Sequence, residues 1–282
     1  MKKLIFALLI SFLAPLFSNE IKHRFIAMDN YRHAPQLIYV DQFNAQKSWT
    51  VKLPVKHGGS YRSIQLLDKQ RLLINHPDGA AEYDLATGKK LAWSVSGYKG
   101  IQSALRLPDG RTIIASLRKL YYLDSQGQKI KEKNLVKKPG GWVRTLTLTN
   151  ENTIFYSAGK PFSLCEISLE GEFLKSTKLS DKGYRHIRLA NGNTLNSSGN
   201  KCQVVERDAS GKVISFVGGK KQHPKLKLDF TSGWSLLKNG NIVMTNWLGH
   251  GKIGTAVQLI EFNRQNKVVW IWDGRDQAKT IT

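Results

Sequence analysis

A short hairpin pattern recurs along the chain at a nearly fixed interval, and few folds tolerate that regularity. It reads LPDGRTIIAS at 107–116, LTNENTIFYS at 148–157, LANGNTLNSS at 189–198 and, more faintly, LDKQRLLINH at 67–76. The last copy, GWSLLKNGNIVMT from Gly233, continues into VQLIEF and KVVWIW and ends near Gly274. The Gly240 position is occupied in turn by Gln70, Gly110, Glu151, Gly192 and Gly240, at spacings of 40, 41, 41 and 48 residues. A second hairpin follows each first one: YDLATGKKLAW, YLDSQGQKI, ISLEGEFL, ERDASGKVI and EFNRQNKVVW. Runs rich in Val, Ile and Trp between Asn and Gly turns are strands, and two hairpins in a row make a four-stranded antiparallel unit. A period near 40 built from such units predicts a β-propeller.

The first copy is truncated. RFIAMDN at 24–30 matches a second strand, QLIYVD at 36–41 a third and KSWTVKL at 47–53 a fourth, whereas residues 275–282 remain unused after the last copy. The expected fold is therefore all-β: six four-stranded antiparallel blades near 24–54, 62–97, 102–137, 143–180, 185–219 and 233–274, closed by the C-terminal strand pairing into the first blade. Two insertions, KKQHPKLKLDF at 220–230 and NWLGHGKIGTA at 246–256, are loops rather than linkers, so residues 19–282 form one domain.

Residues 1–18 read as a signal peptide, with Lys2 and Lys3 ahead of an apolar run from Leu4 to Phe17. Export to the periplasm or medium follows; a retained anchor is the alternative reading of the same run. The 43 basic residues against 21 acidic ones give +22, which is solvated surface first and a pointer to anionic partners second. No block of like charges or basic helix marks a nucleic-acid module, and a monomer is expected. Cys165 and Cys202 fall near third strands of successive copies. The spacing leaves a disulfide or two buried thiols open.

In a propeller the segments leading into first strands and the loops joining second to third strands gather at one mouth of the channel. These carry Arg62, Arg118, Arg144 and Arg185, with His76, His186 and His250, and with Tyr61, Trp142, Tyr184, Asn246 and Trp247 beside them. Arginine offers a planar fork to carboxylate, sulfate or phosphate, and aromatic faces stack a planar or sugar ligand. His250, between Gly249 and Gly251, and His186, next to Arg185, are the candidate proton-transfer groups. Asp84, Asp124 and Asp208 precede third-to-fourth strand turns and are expected to cap them. No metal, phosphate-loop or nucleophile-elbow spacing is present.

Leu-Pro-Asp/Asn-Gly-Asn-Thr followed by an acidic residue ahead of Gly-Lys-Val-Val-Trp resembles the exported bacterial PQQ-like (quinoprotein-dehydrogenase-like) propellers, and TNWLGHG with QLIEF and VVWIWD resembles their uncharacterised members. The chain is also similar to the arylsulfotransferase propeller. Asp84, Thr87, Gly88, Lys89 and Trp93 match the tryptophan-docking repeat of that superfamily best, with Glu82 where Ala is usual and Trp93 one residue late; Trp49 and Trp270 hold comparable places. No PQQ-binding or calcium motif accompanies the match, so no cofactor is expected. The expected function is a non-enzymatic extracytoplasmic propeller that binds an anionic small molecule, polysaccharide or protein partner. The alternative is an enzyme, a transferase or hydrolase/lyase of the arylsulfotransferase-like type, using His250 or His186 with arginines on a sulfated, phosphorylated or carboxylated substrate.

Overall fold

The computed structural model describes residues 21–55, 61–135 and 143–282. The expected signal peptide and Trp142 lie outside the described residues. Blade 1 contains β1 (Arg24–Asp29), β2 (Gln36–Asp41) and β3 (Trp49–Lys52). Blade 2 contains β4 (Ile64–Leu66), β5 (Arg71–His76), β6 (Gly79–Asp84) and β7 (Lys90–Val95). Blade 3 contains β8 (Ser103–Arg106), β9 (Thr112–Ala115), β10 (Lys119–Leu123) and β11 (Lys129–Asn134). Blade 4 contains β12 (Leu146–Leu148), β13 (Thr153–Ala158), β14 (Ser163–Ser168) and β15 (Phe173–Lys178). Blade 5 contains β16 (His186–Arg188), β17 (Thr194–Ser198), β18 (Gln203–Arg207) and β19 (Val213–Gly218). Blade 6 contains β20 (Trp234–Leu236), β21 (Ile242–Thr245), β22 (Leu259–Phe262) and β23 (Val268–Trp272). All pairings within blades are antiparallel, and the blades form the expected six-bladed β-propeller.

Burial follows position in the ring. Second and third strands such as β5, β6, β13 and β14 are buried almost end to end, because neighbouring blades cover both of their faces. Fourth strands such as β11 and β15 face solvent and carry lysines. The short first strands meet one another, β4 against β8, β8 against β12 and β12 against β16.

The tail completes blade 1 as expected. Ile281 bridges Asp29 in antiparallel fashion, Asn30 N donates to Thr280 O at 3.2 Å, and Thr282 N donates to Met28 O at 2.9 Å. Ile281 is fully buried against Ile38, Trp270 and Trp272, so the closing segment brings its own apolar anchor. Asp29 accepts from the amides of Lys279 and Thr280, and its burial raises its pKa in spite of those donors.

A docking device links blade to blade on the outer side. Trp49 Nε1 donates to Leu85 O at 3.1 Å beside Gly88 of blade 2, and Trp93 Nε1 donates to Ser125 O at 3.0 Å beside Gly127 of blade 3. Gly88 has φ +69, and a Cβ there would meet the Trp49 ring at 2.7 Å. Glycine is required at this turn for both reasons. Asp84, Asp124 and Asp208 cap their turns as expected, Asp124 Oδ1 accepting from Gln126 N and Gln128 N.

One repeat position needs correction. In blade 4 the turn is shifted by a residue: Leu148 pairs Ile154, and Asn152 rather than Glu151 takes the left-handed place of Gly110, with φ 55. Asparagine tolerates that conformation where glutamate does not.

Five of the six blade interfaces are sealed by apolar clusters spanning both partners, as in Leu37 and Met28 against Leu72 and Ile74 for blades 1 and 2, or Val204 and Val217 against Met244 and Phe262 for blades 5 and 6. Between blades 4 and 5 the small cluster of Phe155, Leu164 and Leu179 belongs to blade 4 alone. That joint is polar instead. Ser157 meets His186 and donates Oγ to Tyr184 O at 3.0 Å, and Arg188 Nη2 donates to Glu166 Oε2 at 2.6 Å while lying over Phe155. Cys165 and Cys202 are buried free thiols in separate clusters, and burial pushes their pKa values up to about 11 and about 12.

Candidate functional site

The segments leading into the first strands are held by polar side chains at the ends of second strands. Asn75 Oδ1 accepts from Arg62 N at 2.9 Å and Ser63 N at 2.8 Å; Ser197 Oγ accepts from Tyr184 N at 3.0 Å and Arg185 N at 3.2 Å. Thr245 Oγ1 accepts from Ser232 N and Gly233 N, and Asp29 does the same for the tail. Each clamp satisfies two consecutive amides that no strand partner reaches. Arg62 and Arg185 therefore leave from a fixed backbone.

Of the four expected arginines, Arg62 and Arg144 are close enough to repel each other, and Arg144 and Arg185 each lie over an aromatic ring. Arg62 donates to Gln102 Oε1 of the next blade, and burial together with the like charge of Arg144 pulls its pKa down to about 10. The Arg144 guanidinium lies over the Tyr184 ring, 5.5 Å from its centre. Arg185 lies over Trp234 at 5.8 Å, Trp234 Nε1 donates to Arg185 O at 3.3 Å, and burial lowers the arginine's pKa. Among the described residues no carboxylate pairs with Arg185, and its Nε is buried without an acceptor. Residues 56–60 and 136–142, which precede Tyr61 and Val143 in sequence, contain three lysines and no acid.

From Tyr184 a chain of edge-to-face rings runs to the long loop of blade 6. Tyr184 meets Phe230 at 5.4 Å, Phe230 meets Trp247 at 5.9 Å and His250 at 5.7 Å, and Trp247 meets His250 at 4.6 Å. Trp247 Nε1 donates to Asn30 Oδ1 at 2.9 Å, tying this loop to blade 1. His250, with 54% of its side chain exposed, sets Nδ1 3.2 Å from Oδ2 of buried Asp229, whose Oδ1 accepts from Lys252 Nζ at 2.8 Å. A carboxylate on Nδ1 fixes the tautomer that leaves Nε2 as an acceptor. Asp229 was not singled out by the sequence reading. It is the one acid in the inserted loop at 220–230, which is the signal that could have found it.

The remaining sequence candidates have other surroundings. His186 does not face the channel: it is fully buried, its Nε2 contacts Ser157 Oγ, and burial with the Arg207 charge holds its pKa at about 3. Asn246 is fully buried, accepting from Asp229 N at 2.7 Å and donating to Val257 O at 2.9 Å, which fixes the loop from within. His76 is buried with Nδ1 2.6 Å from Asp78 Oδ1. Arg118 is exposed, and its carbonyl accepts from Leu135 N at 2.8 Å. Tyr61 is buried with its hydroxyl on Pro54 O. Among the described residues no three His, Cys, Asp or Glu side chains gather as a metal site, and no helix is long and apolar enough to cross a membrane.

No protein-family profile matches the chain, and no curated protein matches it in sequence. Solved structures do. A protein of unknown function from Bacteroides caccae superposes with a TM-score of 0.74 at 18% identity, covering 93% of this chain and 97% of that one. Streptogramin B lyase gives 0.58 at 12% identity over 89% of this chain and 87% of its own. A catalytically inactive histidine-to-alanine variant of virginiamycin B lyase from Staphylococcus aureus with quinupristin gives 0.60 at 9% identity, with coverage of 89% and 87%. At these identities the likeness establishes the shared propeller fold.

Proposed function

We propose that the protein is an extracytoplasmic propeller that binds an anionic ligand at the channel mouth, through Arg62, Arg144 and Arg185 with Tyr184 and Trp234 as stacking faces. The observation that carries this reading is Arg185, buried over Trp234 without an acidic partner among the described residues. A buried guanidinium is costly unless something negative meets it, and a ligand carboxylate, sulfate or phosphate would do so. Membership of the exported PQQ-like propellers is part of the proposal, supported by the docking of Trp49 and Trp93 on neighbouring turns.

The test is calorimetric titration with 4-nitrophenyl sulfate and inorganic sulfate, repeated on Arg185→Ala and Arg144→Ala. Saturable binding that weakens in both variants supports the reading; binding indifferent to both sinks it. A second reading, an enzyme acting on an anionic substrate, is favoured by the His250–Asp229 contact and by the lyases among the structural neighbours. Release of 4-nitrophenol that disappears in His250→Ala would select it.

A further inference from the structure

A groove of about 580 Å³, within the range of small-molecule sites, runs along blade 5, with Ser180 at its edge. Its floor is one face of blade 5. Arg207 pairs Val213 and Val205 pairs Phe216 across β18 and β19, so these four side chains share that face. Its rim carries Lys201, Lys220 and Lys221, and among the described residues no carboxylate lines it. The rim is tied together: Gly219 N donates to Cys202 O at 2.7 Å and Lys220 N to Lys201 O at 3.4 Å.

Arg207 is the feature that points to a ligand. Only 7% exposed, it donates Nε to Asn196 Oδ1 and Nη1 to Gly211 O at 2.9 Å, both neutral oxygens, and burial lowers its pKa. Its chain neighbour Glu206 points to the opposite face, where it accepts from Asn193 and Arg264. Asp181, nearest the rim, is occupied by Ser198 Oγ, Asn200 Nδ2 and Lys201 N. Meanwhile Val213 and Phe216 stay 46% and 37% exposed above the floor, apolar surface left beside four cations.

We infer that this groove, a site separate from the channel mouth, binds a small organic anion with an apolar body: an aryl or alkyl carboxylate, sulfate or sulfonate. The head meets Arg207 and the rim lysines, and the body covers Val205, Val213 and Phe216. Inorganic phosphate alone would leave the apolar half of the groove wet.

The probe is 1-anilinonaphthalene-8-sulfonate, followed by its fluorescence on the whole folded protein, with N-phenyl-1-naphthylamine as the same body without the charge. One saturable sulfonate site is expected, with the neutral probe at least tenfold weaker. Lys220→Glu with Lys221→Glu, both exposed positions, should weaken the sulfonate at least tenfold, as should Phe216→Ser, while melting temperatures confirm that the variants fold. Arg185→Ala should leave this binding unchanged, which keeps the result distinct from any loss at the mouth. Absence of saturation, a weakening below tenfold in the double charge reversal, an equally tight neutral probe, or loss in Arg185→Ala would each overturn the assignment.

Discussion

The amide of Lys279 donates to Asp29 Oδ2 at 2.7 Å, so a carboxylate in the first strand holds the last residues of the chain. Its other oxygen takes Thr280 N at 3.0 Å and Tyr31 N at 3.1 Å, and the side chain is fully buried. Removing it strands three amides that water does not reach. Asp29→Ala is expected to cost about 3 kcal/mol, and Asp29→Asn, which keeps one acceptor oxygen, roughly half of that. Urea unfolding measures both, and an Asp29→Ala midpoint equal to the parent would show that the tail closes the ring by burial alone.

His186 sets an acid limit. Its folded pKa, about 3, lies below the ordinary 6.5, so between those values the unfolded chain binds a proton that the folded one does not. The stability it confers is complete above pH 6.5 and declines as the pH falls toward 3, by about 3 kcal/mol between pH 7 and pH 4. In His186→Gln the fall in unfolding free energy over that range should be visibly shallower.

The turns at Gly88 and Gly192 separate two costs of adding a methyl group. Both have positive φ, but a Cβ at Gly192 meets nothing within 4 Å, whereas at Gly88 it meets Trp49. Gly192→Ala should lose about 1 kcal/mol for the left-handed backbone, and Gly88→Ala at least about 2 kcal/mol. Equal losses in thermal melts would mean that the tryptophan docking is slack.

At the mouth, Arg144→Ala is expected to weaken 4-nitrophenyl sulfate about tenfold, equivalent to about 1.4 kcal/mol. His250→Ala should leave affinity within about threefold, since His250 already faces Asp229. Titrations at rising salt should weaken the parent more than Arg144→Ala, because the variant has lost one of the screened charges.

What could be read from the chain was whatever repeats locally. Asn-Gly turns, alternating apolar runs and the unpaired residues 275–282 gave the blade limits and the closure, because turn chemistry and strand pairing act over a few residues. The first strands were legible only by position: β4, β12, β16 and β20 are three residues long, too short for alternation to say which side chain turns toward the axis. His186 and Arg185 are adjacent, yet one is sealed against Ser157 and the other lies over Trp234. The shift to Asn152 leaves no mark in the repeat, because LTNENT aligns without a gap to LPDGRT; only the poor fit of glutamate to a left-handed turn position points to it. Asp229 and the groove beside Arg207 depend on which loop folds over which blade, a property of tertiary packing with no local signature.

Six wedges arranged around one axis must together make a full circle. Where blades 4 and 5 meet through serine, histidine, arginine and glutamate rather than interlocked aliphatics, the angle between them is set by a few directional bonds. Any change of angle at this joint would have to be taken up by the remaining joints or by the width of the bore. Circular geometry thus makes the fit at one joint a condition on the other five.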